Sequence, residues 1–119
     1  MRGLVTILLG VMLLTGQAAL SAEVETWLEQ LDVPLADGLV EDAEAGTLFE
    51  SATGRVVIVE AKGAVAARSI ERYYEQVLPE LGWRAAGGNR FLRDGEALNI
   101  AITRANGLTL VVFRLSPAG

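Results

Sequence analysis

Apolar positions recur along this chain with three different rhythms. A run from Leu4 to Leu14 follows Arg2 and leads to the small-residue segment Ala18-Ala19-Leu20-Ser21-Ala22. That three-part build is the pattern of a secretory signal peptide, with cleavage expected after Ser21 or Ala22. The run is short of the roughly 20 apolar residues that a membrane-spanning helix needs, so it reads as export and not as anchorage. Val24, Trp27, Leu28 and Leu31 then recur at helical spacing with Glu25, Glu29 and Asp32 between them, which predicts a short amphipathic helix ended by Pro34. The stretch from Val33 to Gly46 has no sustained period and reads as an extended connection.

Strand rhythm takes over at Thr47 to Glu50 and Arg55 to Ala61, joined by Ser51-Ala52-Thr53-Gly54. Val56 to Val59 are consecutive β-branched residues, which predicts a strand covered on both faces. Lys62-Gly63 reads as a break before a helical pattern from Ala64 to Leu81. Its apolar stripe holds Ala66, Ala67, Ile70, Tyr73, Tyr74, Val77, Leu78 and Leu81. Pro79 should distort the last turn, and Gly82 should supply the left-handed stop. Trp83 to Ala86 leads into a meander of Arg90 to Arg93, Ala97 to Thr103 and Leu108 to Leu115. Asp94-Gly95 and Asn106-Gly107 are strong hairpin signals. Two-residue turns place Phe91 opposite Leu98, Ile100 opposite Phe113 and Ile102 opposite Val111, on the face that the long helix should cover.

These elements predict an α+β domain. A small antiparallel or mixed sheet, in ββαβββ order, carries one long helix on one face and is preceded by a short acidic helix. The boundaries are a signal at 1–22, an acidic helix and arm at 23–46, and the α+β domain at 47–117. The other sheet face carries Arg90, Leu92, Ala97, Asn99, Ala101, Thr103, Leu110, Val112 and Arg114, too apolar for a wet face and too polar for a core. Two coverings are expected: the acidic arm, with Glu25, Glu29 or Asp32 near Arg90 and Arg114, or a partner. Arg90, Asn99, Val112 and Arg114, with Trp83, are the candidate partner surface. Trp83, just after the helix, reads mainly as a core aromatic, with ligand stacking as the alternative.

Composition narrows the chemistry. Glu23 to Glu50 holds nine acids and no base, whereas residues 51–119 hold nine bases and six acids. Removal of residues 1–22 takes away Arg2 and leaves 9 − 15 = −6, a charge that argues against a nucleic-acid partner. The chain has no cysteine, so the domain folds without disulfides, which suits a bacterial periplasm. It has no histidine, which removes the Ser-His-Asp arrangement and imidazole zinc sites. No phosphate-binding glycine loop or nucleophile elbow is present, and no cofactor is expected. Glu71 and Glu75 share the helix's wet face, where a glycosidase acid would not find the raised pKa it needs.

Three segments carry a resemblance: Gly54-Arg55-Val56-Val57, Tyr73-Tyr74-Glu75-Gln76-Val77-Leu78-Pro79-Glu80-Leu81-Gly82-Trp83, and Phe91-Leu92-Arg93-Asp94-Gly95-Glu96. They resemble a family of small, functionally uncharacterised exported bacterial proteins with a G-R-[IV]-V strand, a [FY]-Y-x-x-x-L-P-x-L-G-W helix end and an F-x-R-x-G-E hairpin. The resemblance covers residues 33 to 117 and transfers no catalytic or binding residue; the aromatic pair followed by Leu81-Gly82-Trp83 is also similar to a loosely recurring pattern in other small envelope proteins with one helix on an antiparallel sheet. The reading that follows is a non-catalytic periplasmic binding or accessory protein of the cell envelope, with an envelope protein or ligand as partner. Contact with the membrane is expected only through an uncleaved signal. The alternatives are a carboxylate-dependent hydrolase of envelope glycan, or an inhibitor of a secreted enzyme presenting Ser51 to Gly54 or Gly87 to Asn89.

Overall fold

A computed structural model describes residues 26–119, so the signal segment and Val24 lie outside the described residues. The alternation of the last third closes into long hairpins because their turns suit left-handed backbone. Asp94 and Gly95 have φ of 52° and 81°, and Asn106 and Gly107 have 55° and 78°. Positive φ at both central residues matches the twist of the flanking strands. The strands joined this way are β5 (Arg90–Arg93), β6 (Glu96–Ala105) and β7 (Leu108–Pro117). Their register places Phe91 opposite Leu98, Ile100 opposite Phe113 and Ile102 opposite Val111, as the alternation predicts.

The remaining strands are β1 (Val40–Glu41), β2 (Thr47–Ser51), β3 (Gly54–Gly63) and β4 (Arg84–Ala85). All pairings are antiparallel, and the seven-stranded sheet runs β1-β3-β7-β6-β5-β4, with β2 paired to β3. The helix α2 (Ala67–Glu80) crosses one face and buries Ile70, Tyr74 and Leu78. The architecture is therefore α+β, an antiparallel sheet with one main helix packed on it and a short helix before it. The core comprises Val57, Val59, Ala61, Leu98, Ile100, Val111, Phe113 and Leu115 from the sheet beneath α2. The Tyr74 and Phe113 rings meet edge to face, 5.4 Å between centroids.

Two departures from expectation near α2 have physical causes. The helix starts at Ala67 and not at Ala64, because the Val65 carbonyl accepts from Thr109 Oγ1 and from Arg104 Nη1 on the β6–β7 hairpin. Gly63 does not break the strand: it stays in β3, paired with Thr109, at a place where a Cβ would meet the Gly38 carbonyl. Pro79 and Gly82 act as expected, since the end of α2 tightens to a bond from Leu81 N–H to Leu78 O and Gly82 turns left-handed at φ 95°.

The arm is the largest correction. Helix α1 (Trp27–Leu31) does not lie on the face of Arg90 and Arg114. Leu28, Leu31, Val33, Ala36 and Leu39 join the same buried cluster as α2, so arm and helix share one face. Three of the arm's acids, Glu29, Glu41 and Asp42, bond within the arm, while Asp32 pairs with Arg93 on β5. Thr26 and Glu29 form a reciprocal capping box. Glu41 accepts from Trp27 N–H at 2.8 Å and Leu28 N–H at 3.3 Å, and Asp42 accepts from Glu44 N–H at 3.1 Å. Carboxylates at helix starts satisfy donors that have no partner within the helix. The Tyr74 hydroxyl pins the following segment, donating to Pro34 O at 2.8 Å and accepting from Ala36 N–H at 3.1 Å.

Candidate functional site

With α1 and α2 packed in one cluster on one side, neither helix covers the opposite face, where Ala97 alone is fully buried, between Leu92 and Ser116. The consecutive β-branched run therefore serves one core and one open face: Val57 and Val59 are buried, while Val56 and Ile58 are half-buried. The expectation that both faces would be covered is corrected accordingly.

Register assembles the open face into rows. Arg90 stands opposite Asn99, Asn99 opposite Arg114, Arg114 opposite Ile58, and Ile58 opposite Thr47. Adjacent strands lie about 4.8 Å apart, so Arg90 and Arg114 flank Asn99 with roughly 10 Å between their backbones. Val112 stands in the next row between Glu60 and Ala101. Arg84 shares the face through its pairing with Leu92. Four of the five predicted contact residues are thus brought onto one surface.

Trp83 is not. It is buried at 2% exposure under the Arg93 guanidinium, and its Nε1 has no hydrogen-bond partner among the described residues. Its place in the core follows from its position just after α2, where it sits beneath β5's Arg93. Trp83 is removed from the contact surface.

The electrostatics of the face are uneven. The ion pairs among the described residues are Arg55 with Glu96 at 2.9 Å and Arg93 with Asp32 at 3.5 Å. Arg84, Arg90 and Arg114 have no carboxylate partner there. Glu96 bonds both Nε and Nη2 of Arg55, and that bond raises the Arg55 pKa above its ordinary value. Guanidinium groups present planar forks of donors suited to carboxylate or phosphate, and the Asn99 amide both donates and accepts. Half-apolar rows beside them add contact area. Together they can hold an anionic group on a partner whose neighbouring surface is apolar.

The other candidates come together less well. Glu71 is half-buried and Glu75 exposed on α2, with Arg68 and Arg72 on the same helix. Among the described residues no group of three or more acidic side chains is arranged to hold a metal ion. The surface hollow lined by Arg84, Leu92, Arg93, Asp94 and Glu96 is an open depression. Ser51 to Gly54 is a tight turn tied by Ser51 Oγ to Thr53 and Gly54. Gly87 to Asn89 is closed by bonds between Ala86 and Arg90 and between Arg90 and Gly87. Among the described residues no helix is long and apolar enough to cross a membrane.

Sequence reasoning missed Arg93, whose guanidinium donates to Leu81 O at 2.9 Å and Leu31 O at 3.3 Å. It joins the ends of both helices. Only its alternation with Phe91 placed it on the helix face. The chain matches no protein-family model, no curated protein and no solved structure.

Proposed function

We propose that the protein is a non-catalytic binding or accessory module of the bacterial cell envelope, working in the periplasm after export by its N-terminal signal. The observation that carries this reading is the row Arg90, Asn99 and Arg114 on an uncovered sheet face, with no carboxylate partner for either arginine among the described residues. Unpaired guanidinium groups beside half-exposed Val112 and Ile58 suit a partner that offers carboxylate or phosphate next to apolar surface. The signal pattern, the absence of cysteine and the likeness to exported bacterial proteins support the compartment.

Photo-crosslinking in intact Gram-negative cells tests the proposal. A photoreactive residue at Asn99 should give one discrete adduct, and one at Glu75 on α2 should give none. The double variant R90E/R114E should abolish the Asn99 adduct while leaving the melting temperature within a few degrees. No adduct at Asn99, or equal adducts at both positions, would overturn the proposal. Retention of the chain in the cytosol would do the same.

A further inference from the structure

A second surface lies at the outer edge of the sheet. Strand β2 is hydrogen-bonded on one side only, to β3, and among the described residues nothing pairs with its other side. Its neighbourhood holds three of the four large apolar side chains that are well exposed among the described residues: Val40 at 70%, Leu48 at 49% and Phe49 at 56%. Leu48 stands opposite the buried Val57 and Phe49 opposite the half-buried Val56, so the two project to opposite faces of the sheet. An added strand would find open backbone groups with one apolar contact on each face. Edge strands are usually blunted by lysine, proline or a bulge, and Thr47-Leu48-Phe49-Glu50-Ser51 has neither lysine nor proline.

Charge selects the occupant. From Val40 to Ser51 the chain carries Glu41, Asp42, Glu44 and Glu50 and no base. Glu41 is engaged with the start of α1, and Asp42 with its own turn. Glu44 is exposed before the strand, and Glu50 lies opposite Arg55, whose guanidinium is committed to Glu96. Two β2 edges brought together would also bring two acid-rich segments together, offset only in part by Arg55 opposite Glu50, which disfavours a second copy of this chain. We propose that β2 accepts an extended peptide segment by strand addition, one with two adjacent apolar residues at its centre and a basic residue at each end. The apolar pair covers Leu48 and Phe49, and the basic ends approach Glu50 and Glu44.

The test uses the folded chain and a capped synthetic peptide, Arg-Thr-Ile-Val-Ser-Lys, with Glu-Thr-Ile-Val-Ser-Glu as its charge-reversed counterpart. Binding is followed by NMR shifts and amide exchange. The basic peptide should shift and protect β2 amides and bind roughly tenfold more tightly than the acidic one, since charge complementarity discriminates between partners. E44Q/E50Q should erase that preference, and L48T/F49T, which keeps strand-compatible residues, should abolish binding. Absence of binding, equal affinity for both peptides, or shifts confined to the Arg90–Arg114 row would overturn the proposal. Concentration-dependent dimerisation lost in L48T/F49T would also overturn it, in favour of a second copy. None of these outcomes bears on the Asn99 adduct.

Discussion

The guanidinium of Arg93 lies 4.2 Å above the centre of the Trp83 ring and from there holds carbonyls at the ends of both helices, Leu31 O and Leu81 O. One side chain on β5 thereby closes the arm, α2 and the sheet together. The variant R93M keeps an apolar stem over the indole but removes every donor. It should cost about 2 kcal/mol, because charge-assisted hydrogen bonds are stronger than neutral ones and two half-buried carbonyls lose their partner. Thermal unfolding would check this, with a melting temperature lower by about 4–8 °C per kcal/mol. A change within a degree would show that the clamp contributes nothing.

Tyr74 fastens the arm from below. Y74F keeps the ring against Phe113 but removes the hydroxyl that serves Pro34 O and Ala36 N–H, at a cost of about 1–2 kcal/mol. Amide exchange at Ala36 should speed up more than exchange at Val111, since the arm loosens before the sheet opens.

Burial raises the Tyr74 phenol pKa well above its ordinary value, the bond from Ala36 N–H opposes that shift, and nearby Tyr73 adds to it. Tyr73 is raised in the same direction, by burial and then by the charge of Asp37. A raised folded pKa means that the fold favours the protonated phenol. The stability it contributes is complete below the unfolded value of about 10 and declines as pH rises from there toward the folded value. Stability measured by urea unfolding should therefore be flat with respect to Tyr74 from pH 7 to 9 and fall above pH 10, by about 1.4 kcal/mol per pH unit for that group. Y74F should flatten the alkaline fall; an unchanged slope would contradict the assignment.

Gly63 and Gly107 offer a contrast between two demands on glycine. At Gly63 a Cβ would meet the Gly38 carbonyl, which is backbone and cannot swing aside, so G63A should cost about 1–3 kcal/mol through overpacking. At Gly107 nothing lies near a Cβ, and the cost of G107A comes from the left-handed backbone alone, about 1 kcal/mol. Denaturant titrations of the two variants should show the larger loss for G63A, and equal losses would contradict the overpacking assigned to Gly63.

Much of the sheet was legible because its signals are local. Asp94-Gly95 and Asn106-Gly107 set the turns, alternation set the faces, and the row Arg90, Asn99 and Arg114 follows from that register. What escaped depends on residues distant in sequence. Leu28 and Leu31 form an apolar stripe that suits either face of the sheet, and the choice between faces is made by Tyr74 and Arg93, about 40 and 60 positions away. Gly63 resembles a breaker because its one-letter signal does not reveal the Gly38 carbonyl beside it. Val56 to Val59 suggest two covered faces, but β branching also suits a strand paired on both edges within a single-layer sheet.

The absence of cysteine makes the open face directly measurable. Val111 and Val112 are neighbours on β7, the first fully buried beneath α2 and the second half-exposed on the face of Arg90 and Arg114. Single-cysteine variants V111C and V112C of the purified protein, labelled with a maleimide under native conditions, report which side of the sheet is free. V112C should react at least about 100-fold faster than V111C, whose thiol waits for rare opening of the core. Equal rates, or the reverse order, would mean that the face assigned to a partner is already covered by the chain itself.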